Sequence, residues 1–222
     1  MKITALELAC HNLEAQKQFY AEILGLTLLE SSDSGFSVQV GRTRLTFRLR
    51  PERHGVYHFA FNIPENQVAE AKSWIQQRAA LLEEDGNDEF TASAAWNARM
   101  FYFRDPDGNI LECIARHRLA NASSQAFGPA SLLNVSEIGW PVGDVQRDVE
   151  RLQQQPGLSV FGTPSSAFTP LGDDEGLLIV VELGRPWFPT AQAAAHLPLR
   201  LTLADTARDL EPEWEAAPGR VT

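Results

Sequence analysis

The chain predicts an α+β fold assembled from repeated βαβββ units, and three observations carry that expectation. One order of apolar patterns (strand, helix, three strands) begins at Ile3, restarts at Val56 and begins a third time at Val135. Within each pass the helical stretch shows 3.6-residue apolar spacing, whereas the other stretches read as strands. Residues 100–116 form two apolar runs around Asp105-Pro106-Asp107-Gly108-Asn109. That turn makes the runs an antiparallel hairpin, because Pro106 presets φ and the residues after it tolerate positive φ.

The elements follow in order. Residues 3–10 read as a strand and Asn12 as an N-cap. Leu13, Phe19, Tyr20, Ile23 and Leu24 then recur close to helical spacing, so residues 12–24 predict an amphipathic helix stopped by Gly25. Strands are expected at 26–31, 35–40 and 43–49. The second pass has a strand at 56–63 and Pro64 at a helix start. Val68, Ala71 and Ile75 mark its core face to about Ala80, and strands follow near 90–93, 99–104 and 109–116. In the third, a strand at 135–141 precedes a helix from about Val142 to Gln154, with Val145, Val149 and Leu152 inward. Strands near Leu158, Ala167 and 177–182 complete it, and 197–204 reads as the first strand of an unfinished fourth pass.

The domain expectation is therefore a two-unit domain over 1–118, with units at about 1–50 and 56–116. A linker over 119–131, rich in Ala, Ser, Asn and Gly, leads to a divergent third unit plus one strand over 132–204. The acidic tail, 205–222, has Trp214 as its large apolar group and reads as a short helix or partly disordered.

Composition narrows the function classes. Nineteen Lys plus Arg against 29 Asp plus Glu give a formal charge of −10, which argues against nucleic acid as a partner. Two cysteines, Cys10 and Cys113, both in apolar strand patterns, do not make a disulfide framework or a structural zinc site. Neither a signal peptide nor a membrane span is visible, so a cytoplasmic protein, monomer or homodimer, is the expectation. Gly-x-Ser-x-Gly and phosphate-cradling glycine loops are missing, which leaves nucleophilic catalysis little support.

The chemistry centres on Glu112, a carboxylate inside the returning strand of the hairpin, on one face with Ile110 and Ile114. An ionised carboxylate buried without a partner costs several kcal/mol, so Glu112 requires a cation, a hydrogen-bond donor or a metal.

The residues Asn12-Leu13-Glu14 through Phe19-Tyr20 and Leu24-Gly25-Leu26, then Tyr57-His58-Phe59-Ala60-Phe61, then Phe101 through Glu112 resemble the vicinal oxygen chelate superfamily. That superfamily includes glyoxalase I, bleomycin and fosfomycin resistance proteins and extradiol dioxygenases. The resemblance is specific over residues 3–116 and rests on element order beyond. It implies two units whose sheets curl around an open cleft, with a divalent metal held by one ligand on the first and one on the last strand of each unit. Carried onto this sequence, His58 and Glu112 are the second unit's metal ligands, suited to Zn, Fe, Mn or Ni. The first unit has Ala5 and Thr46 at those places, neither a usual ligand.

Several alternatives stay open. Glu7, on the strand of Ala5, is a candidate third ligand and, with Glu112, a candidate proton-moving carboxylate, or it pairs with Arg44 or Arg48. His58 and Glu112 either hold metal or bond each other. Arg44, Arg48, Trp96 and Tyr102 are candidates for the wall of a ligand pocket, although alternating arginines also make a solvated face. Glu137 sits at a first-strand position of the third unit. The loop Gly184-Arg185-Pro186-Trp187-Phe188-Pro189 either closes over an anionic or planar ligand or staples itself to a sheet edge. The resemblance implies a metal-dependent lyase or dioxygenase on a small oxygen-rich molecule. The competing function is a metal-free small-molecule-binding or drug-sequestering protein on the same scaffold.

Overall fold

The computed structural model describes residues 1–204 and 209–212. The first unit is β1 (Ile3–Cys10), α1 (Leu13–Lys17), β2 (Thr27–Ser32), β3 (Gly35–Val40) and β4 (Thr43–Leu49). Asn12 caps α1 by accepting a hydrogen bond from the Ala15 amide at 3.1 Å. The helix continues as π-helical turns over Gln18–Ile23 and ends at Gly25, whose φ is +67°.

The second unit is β5 (His58–Ile63), α2 (Val68–Gln76), β6 (Leu81–Leu82), β7 (Phe90–Thr91), β8 (Ala98–Arg104) and β9 (Ile110–Arg116). Its second strand is split into two short pieces, of which β6 has no strong alternating pattern in the sequence. The third unit is β10 (Asn134–Val142), α3 (Val145–Leu152), β11 (Phe168–Asp173) and β12 (Gly176–Glu182), followed by β13 (Leu199–Leu203). The strand expected near Leu158 is reduced to a single bridge between Val160 and Leu171. Of the acidic tail only residues 209–212 are described, where Leu210 bridges Leu201, and Trp214 lies outside the described residues. Among the described residues no helix is long and apolar enough to cross a membrane.

The strands form two open, mixed sheets. One has the order β13-β1-β4-β3-β2 and the other β11-β12-β10-β5-β9-β8-β6, with β7 also on β8. The pairing of units differs from that of a domain built from units one and two. The second unit joins the third through antiparallel β5 and β10, while β1 takes β13 as its antiparallel neighbour. The reason is local. β5 and β9 run parallel and finish together at Ile63 and Ala115, so the chain leaving β9 only has to turn over to run back along the open edge of β5.

The segment expected as a linker makes that turn and is tied to the start of α2. Asn121 accepts from the Glu65 amide at 2.9 Å and the Ser123 carbonyl accepts from Asn66 at 2.9 Å.

One apolar core joins the two sheets, with Leu6, Leu8 and Phe47 from one and Phe59, Phe61, Phe101 and Trp140 from the other. At the junction Thr43 donates to the Ile3 carbonyl at 2.7 Å and accepts from the Val135 amide at 3.1 Å. Gly41 is required beside it, because its φ is +49° and a Cβ there would lie 1.8 Å from the Leu133 carbonyl oxygen. The core fills one face of the larger sheet and leaves the other face to form a cavity.

Candidate metal centre

Three adjacent strands build the centre. Ala60 on β5 is paired with Glu112 on β9 along one edge and with Glu137 on β10 along the other. Neighbouring strands lie about 4.8 Å apart, so the two carboxylates rise on either side of a residue too small to separate them. His58, two residues before Ala60, points from the same face because side chains alternate. One ligand atom from each of His58, Glu112 and Glu137 lies within 4.8 Å of the others, and all three side chains are buried.

The imidazole is oriented. Its Nδ1 lies 3.3 Å from the Ile110 carbonyl oxygen, which can only accept, so Nδ1 carries the proton and Nε2 presents a lone pair. Nε2 is 3.5 Å from Glu112 Oε2. Burial lowers the His58 pKa to about 4, and the charge of Arg185 pushes the same way. Burial, then the charge of Glu137, hold the Glu112 carboxyl well above the usual carboxylate range, against opposing effects of Arg116 and of the Tyr102 hydroxyl. Burial raises Glu137 too, opposed by Arg116. Without a cation, burial favours the uncharged forms of both the imidazole and the Glu112 carboxyl.

Arg116, fully buried at the end of β9, bonds Glu137 directly and donates to Asn62 Oδ1 at 3.2 Å. Its guanidinium lies 5.4 Å from the Trp96 ring, and Asp174 approaches it at 3.6 Å. Desolvating a cation this deeply is tolerable only because carboxylates and ring faces surround it.

The donor set suits a divalent ion. A lone pair on Nε2, a carboxylate shared with Arg116 and a carboxyl that loses a proton on binding make a nitrogen and oxygen site compatible with Zn, Mn, Fe or Ni. The hydrogen bond from Nδ1 supplies the usual outer partner of a metal-bound histidine.

The centre opens into a cavity of about 280 Å³ walled by Trp96, Met100, Tyr102, Phe168, Trp187 and Phe188. Trp187 packs on the His58 ring with centroids 5.1 Å apart. Gly139 on β10 makes this possible, since a Cβ there would come within 2.6 Å of the Trp187 ring. The loop carrying Trp187 thus forms a wall of the cavity.

The structure separates the residues singled out in the sequence. His58, Glu112, Trp96 and Tyr102 meet at this cavity. Glu7, Arg44 and Arg48 do not. Glu7 lies on β1 in the other sheet, where Arg48 Nε bonds its carboxylate at 2.9 Å, so it is neither a ligand with His58 nor a carboxylate available to that site. Arg44 pairs with Glu30 at 2.6 Å beside Thr46 and Ala5. The physical reason is the changed pairing of units: the face of the first sheet turns toward its own ion pairs, and Glu137 of the third unit takes the place offered to Glu7. Arg116 was missed because a cation ending an apolar strand reads as a boundary. Arg185 and Trp187 stand out in the sequence as a loop pair whose partner no local pattern names, because Gly139 and His58 are remote in sequence.

No curated protein sequence matches the chain significantly. Among solved structures, a mutant of glyoxalase I from Zea mays is similar at 15% identity, covering 89% of this chain and 73% of its own, with a TM-score of 0.58. A candidate dioxygenase from Bacillus subtilis subsp. subtilis str. 168 is similar at 15% identity, covering 96% of this chain and 67% of its own, also at 0.58. These likenesses establish a shared fold. The family model for the Glyoxalase/Bleomycin resistance protein/Dioxygenase superfamily matches residues 2–113, just over half of the chain and the stretch that holds His58 and Glu112. With that match and the shared fold, the chain belongs to the Glyoxalase/Bleomycin resistance protein/Dioxygenase superfamily.

Proposed function

We propose that this protein holds one divalent metal at His58, Glu112 and Glu137 and acts as a lyase-type catalyst of proton transfer on a small molecule with adjacent oxygen atoms. The observation that carries the reading is the convergence of three donors from β5, β9 and β10, with the imidazole already turned by Ile110 to aim its lone pair at Glu112.

A divalent ion bound there would supply Lewis-acid polarisation of the two oxygens. The chain's own groups do the rest. Because Glu137 is tied to Arg116 whereas Glu112 faces the cavity beside His58, Glu112 is the proton carrier. The Tyr102 hydroxyl steadies its ionised form. Arg116 bonds Glu137 and holds it in place, leaving Glu112 as the carboxyl with no cation bonded to it. Trp187 keeps water from the imidazole, and Trp96 and Phe188 hold the apolar part of the substrate. Ring-cleaving chemistry fits less well, because the family pattern for it calls for a second histidine where this centre has Glu137.

The test begins with metal content after purification without chelator and after reloading. About one ion per chain, lost in His58→Ala while the fold is kept, is expected. Solvent deuterium should then appear at the carbon beside the carbonyl of a 2-hydroxyketone, and Glu112→Gln should abolish that exchange. A protein that takes up no ion under either condition overturns the reading.

The Arg116 to Glu137 bond favours a second reading, in which an internal cation already satisfies one carboxylate and the cavity binds its ligand without metal. Ligand-induced thermal stabilisation that chelator leaves intact would identify that case.

A further inference from the structure

Arg185 is the one permanently charged cation among the residues lining the cavity, and it stands on the loop whose Trp187 packs against His58. Its guanidinium lies 4.9 Å from the Phe168 ring and donates to the Pro186 carbonyl at 3.2 Å. No carboxylate among the described residues forms an ion pair with it. The cations of the other sheet contrast with this, since Arg44 and Arg48 each face a glutamate. Arg185 is half-buried and its field reaches the imidazole. The guanidinium is therefore held in place by a ring face and a carbonyl while its charge stays unanswered.

Charge balance in the cavity points the same way. A divalent ion would be neutralised by Glu112 and Glu137, yet Glu137 already answers Arg116, and Asp174, the other carboxylate near Arg116, is shared with Arg118. Arg185 adds a further positive charge, so the site is short of negative charge by what an anionic ligand would bring. The walls decide the rest of the ligand. Tyr102 and Phe188 line the cavity and pack edge to face at 5.5 Å, with Phe90 against Phe188 at 4.8 Å, and Trp96 and Phe168 complete the ring-bearing wall. Such flat walls favour a planar body over a branched aliphatic one.

We propose that Arg185 is a specificity-determining residue that pairs with a carboxylate on a planar aromatic ligand, whose oxygen-bearing end sits at His58, Glu112 and Glu137. This rests on the proposed location of the reacting site, and Arg185 takes no part in the proton transfer. The fork of the guanidinium matches a carboxylate in two parallel hydrogen bonds, and the stacked Phe168 ring keeps the fork from folding away.

The test uses two probes of the same shape, 3,4-dihydroxybenzoate and 3,4-dihydroxybenzamide, titrated by calorimetry into the manganese-loaded protein. Wild type should bind the benzoate about tenfold to a hundredfold more tightly, the range expected for hydrogen bonds to a charged partner. Arg185→Gln should erase that preference while leaving the benzamide affinity and the manganese content unchanged, and Arg185→Lys should restore part of it. Equal affinities in wild type, a preference that survives in Arg185→Gln, or binding of neither probe would overturn the proposal.

Manganese content is measured separately. If the protein holds no ion, the metal reading fails and the same titrations without metal still decide whether Arg185 discriminates the two probes.

Discussion

Nε2 of His58 lies 3.5 Å from Oε2 of Glu112 while Nδ1 of the same ring lies 3.3 Å from the Ile110 carbonyl oxygen. Two electron-rich atoms therefore face each other unless a proton or a cation lies between them. Metal binding should displace that proton. Calorimetric titration of manganese or zinc in buffers of different ionisation enthalpy should show release of about one proton at neutral pH, with affinity rising as pH rises. Release of no proton would mean that Glu112 is already ionised without metal.

Glu112 also sets a pH dependence of stability. Its folded pKa is raised, so between its usual value near 4.5 and that higher value the folded state binds more protons than the unfolded state. Stability without metal then falls as pH rises through this window. Glu112→Gln removes the slope. The variant should unfold at the wild-type temperature at about pH 5 and a few degrees above it at about pH 8.

Arg116 is buried completely against Glu137. Arg116→Met leaves a carboxylate without its cation and should lower stability by about 3–5 kcal/mol in urea unfolding. Arg116→Met with Glu137→Met should recover most of that loss, because the buried charge is gone with its partner. If the double variant is as unstable as the single one, the loss comes from packing.

Gly139→Ala places a methyl group where the Trp187 ring sits, 2.6 Å from it. The ring should move off His58 and expose the imidazole, at a stability cost of about 1–3 kcal/mol for the overpacked site. Tryptophan emission should shift to the red, and the His58 pKa, followed by NMR, should rise from about 4 as burial is relieved.

Glu7 and Arg48 provide the control. Their pair lies on the other sheet with side chains about a third and nearly half exposed, so screening keeps it weak. Glu7→Gln should change stability by less than about 1 kcal/mol and leave metal uptake unaltered. Lost metal in this variant would relocate the centre.

The sequence by itself determined the repeated units, and the resemblance it carries put His58 and Glu112 together as the second unit's candidate ligands. Apolar period, the Asn12 cap, the Gly25 stop and the Asp105 to Asn109 turn are local devices, and each acts in the fold as its chemistry dictates. Asp105 accepts from the Asp107 and Asn109 amides at 3.0 Å each, which closes the turn that delivers Glu112 to β9. Glu112 was legible as a carboxylate in need of a partner because burial of charge is a cost that one residue in an apolar strand reveals.

Only the tertiary structure decided which units pair. The free edge of β5 accepts β10 and the free edge of β1 accepts β13, choices made by chain crossings and hydrogen-bond register that no local pattern carries. That pairing carries Glu7 away to its salt bridge with Arg48 and brings Glu137 across Ala60 to His58 and Glu112. The approach of Glu137 to His58 and Glu112, the buried Arg116 and the Trp187 wall are contacts between residues distant in the chain, and they exist only once the two units share a sheet.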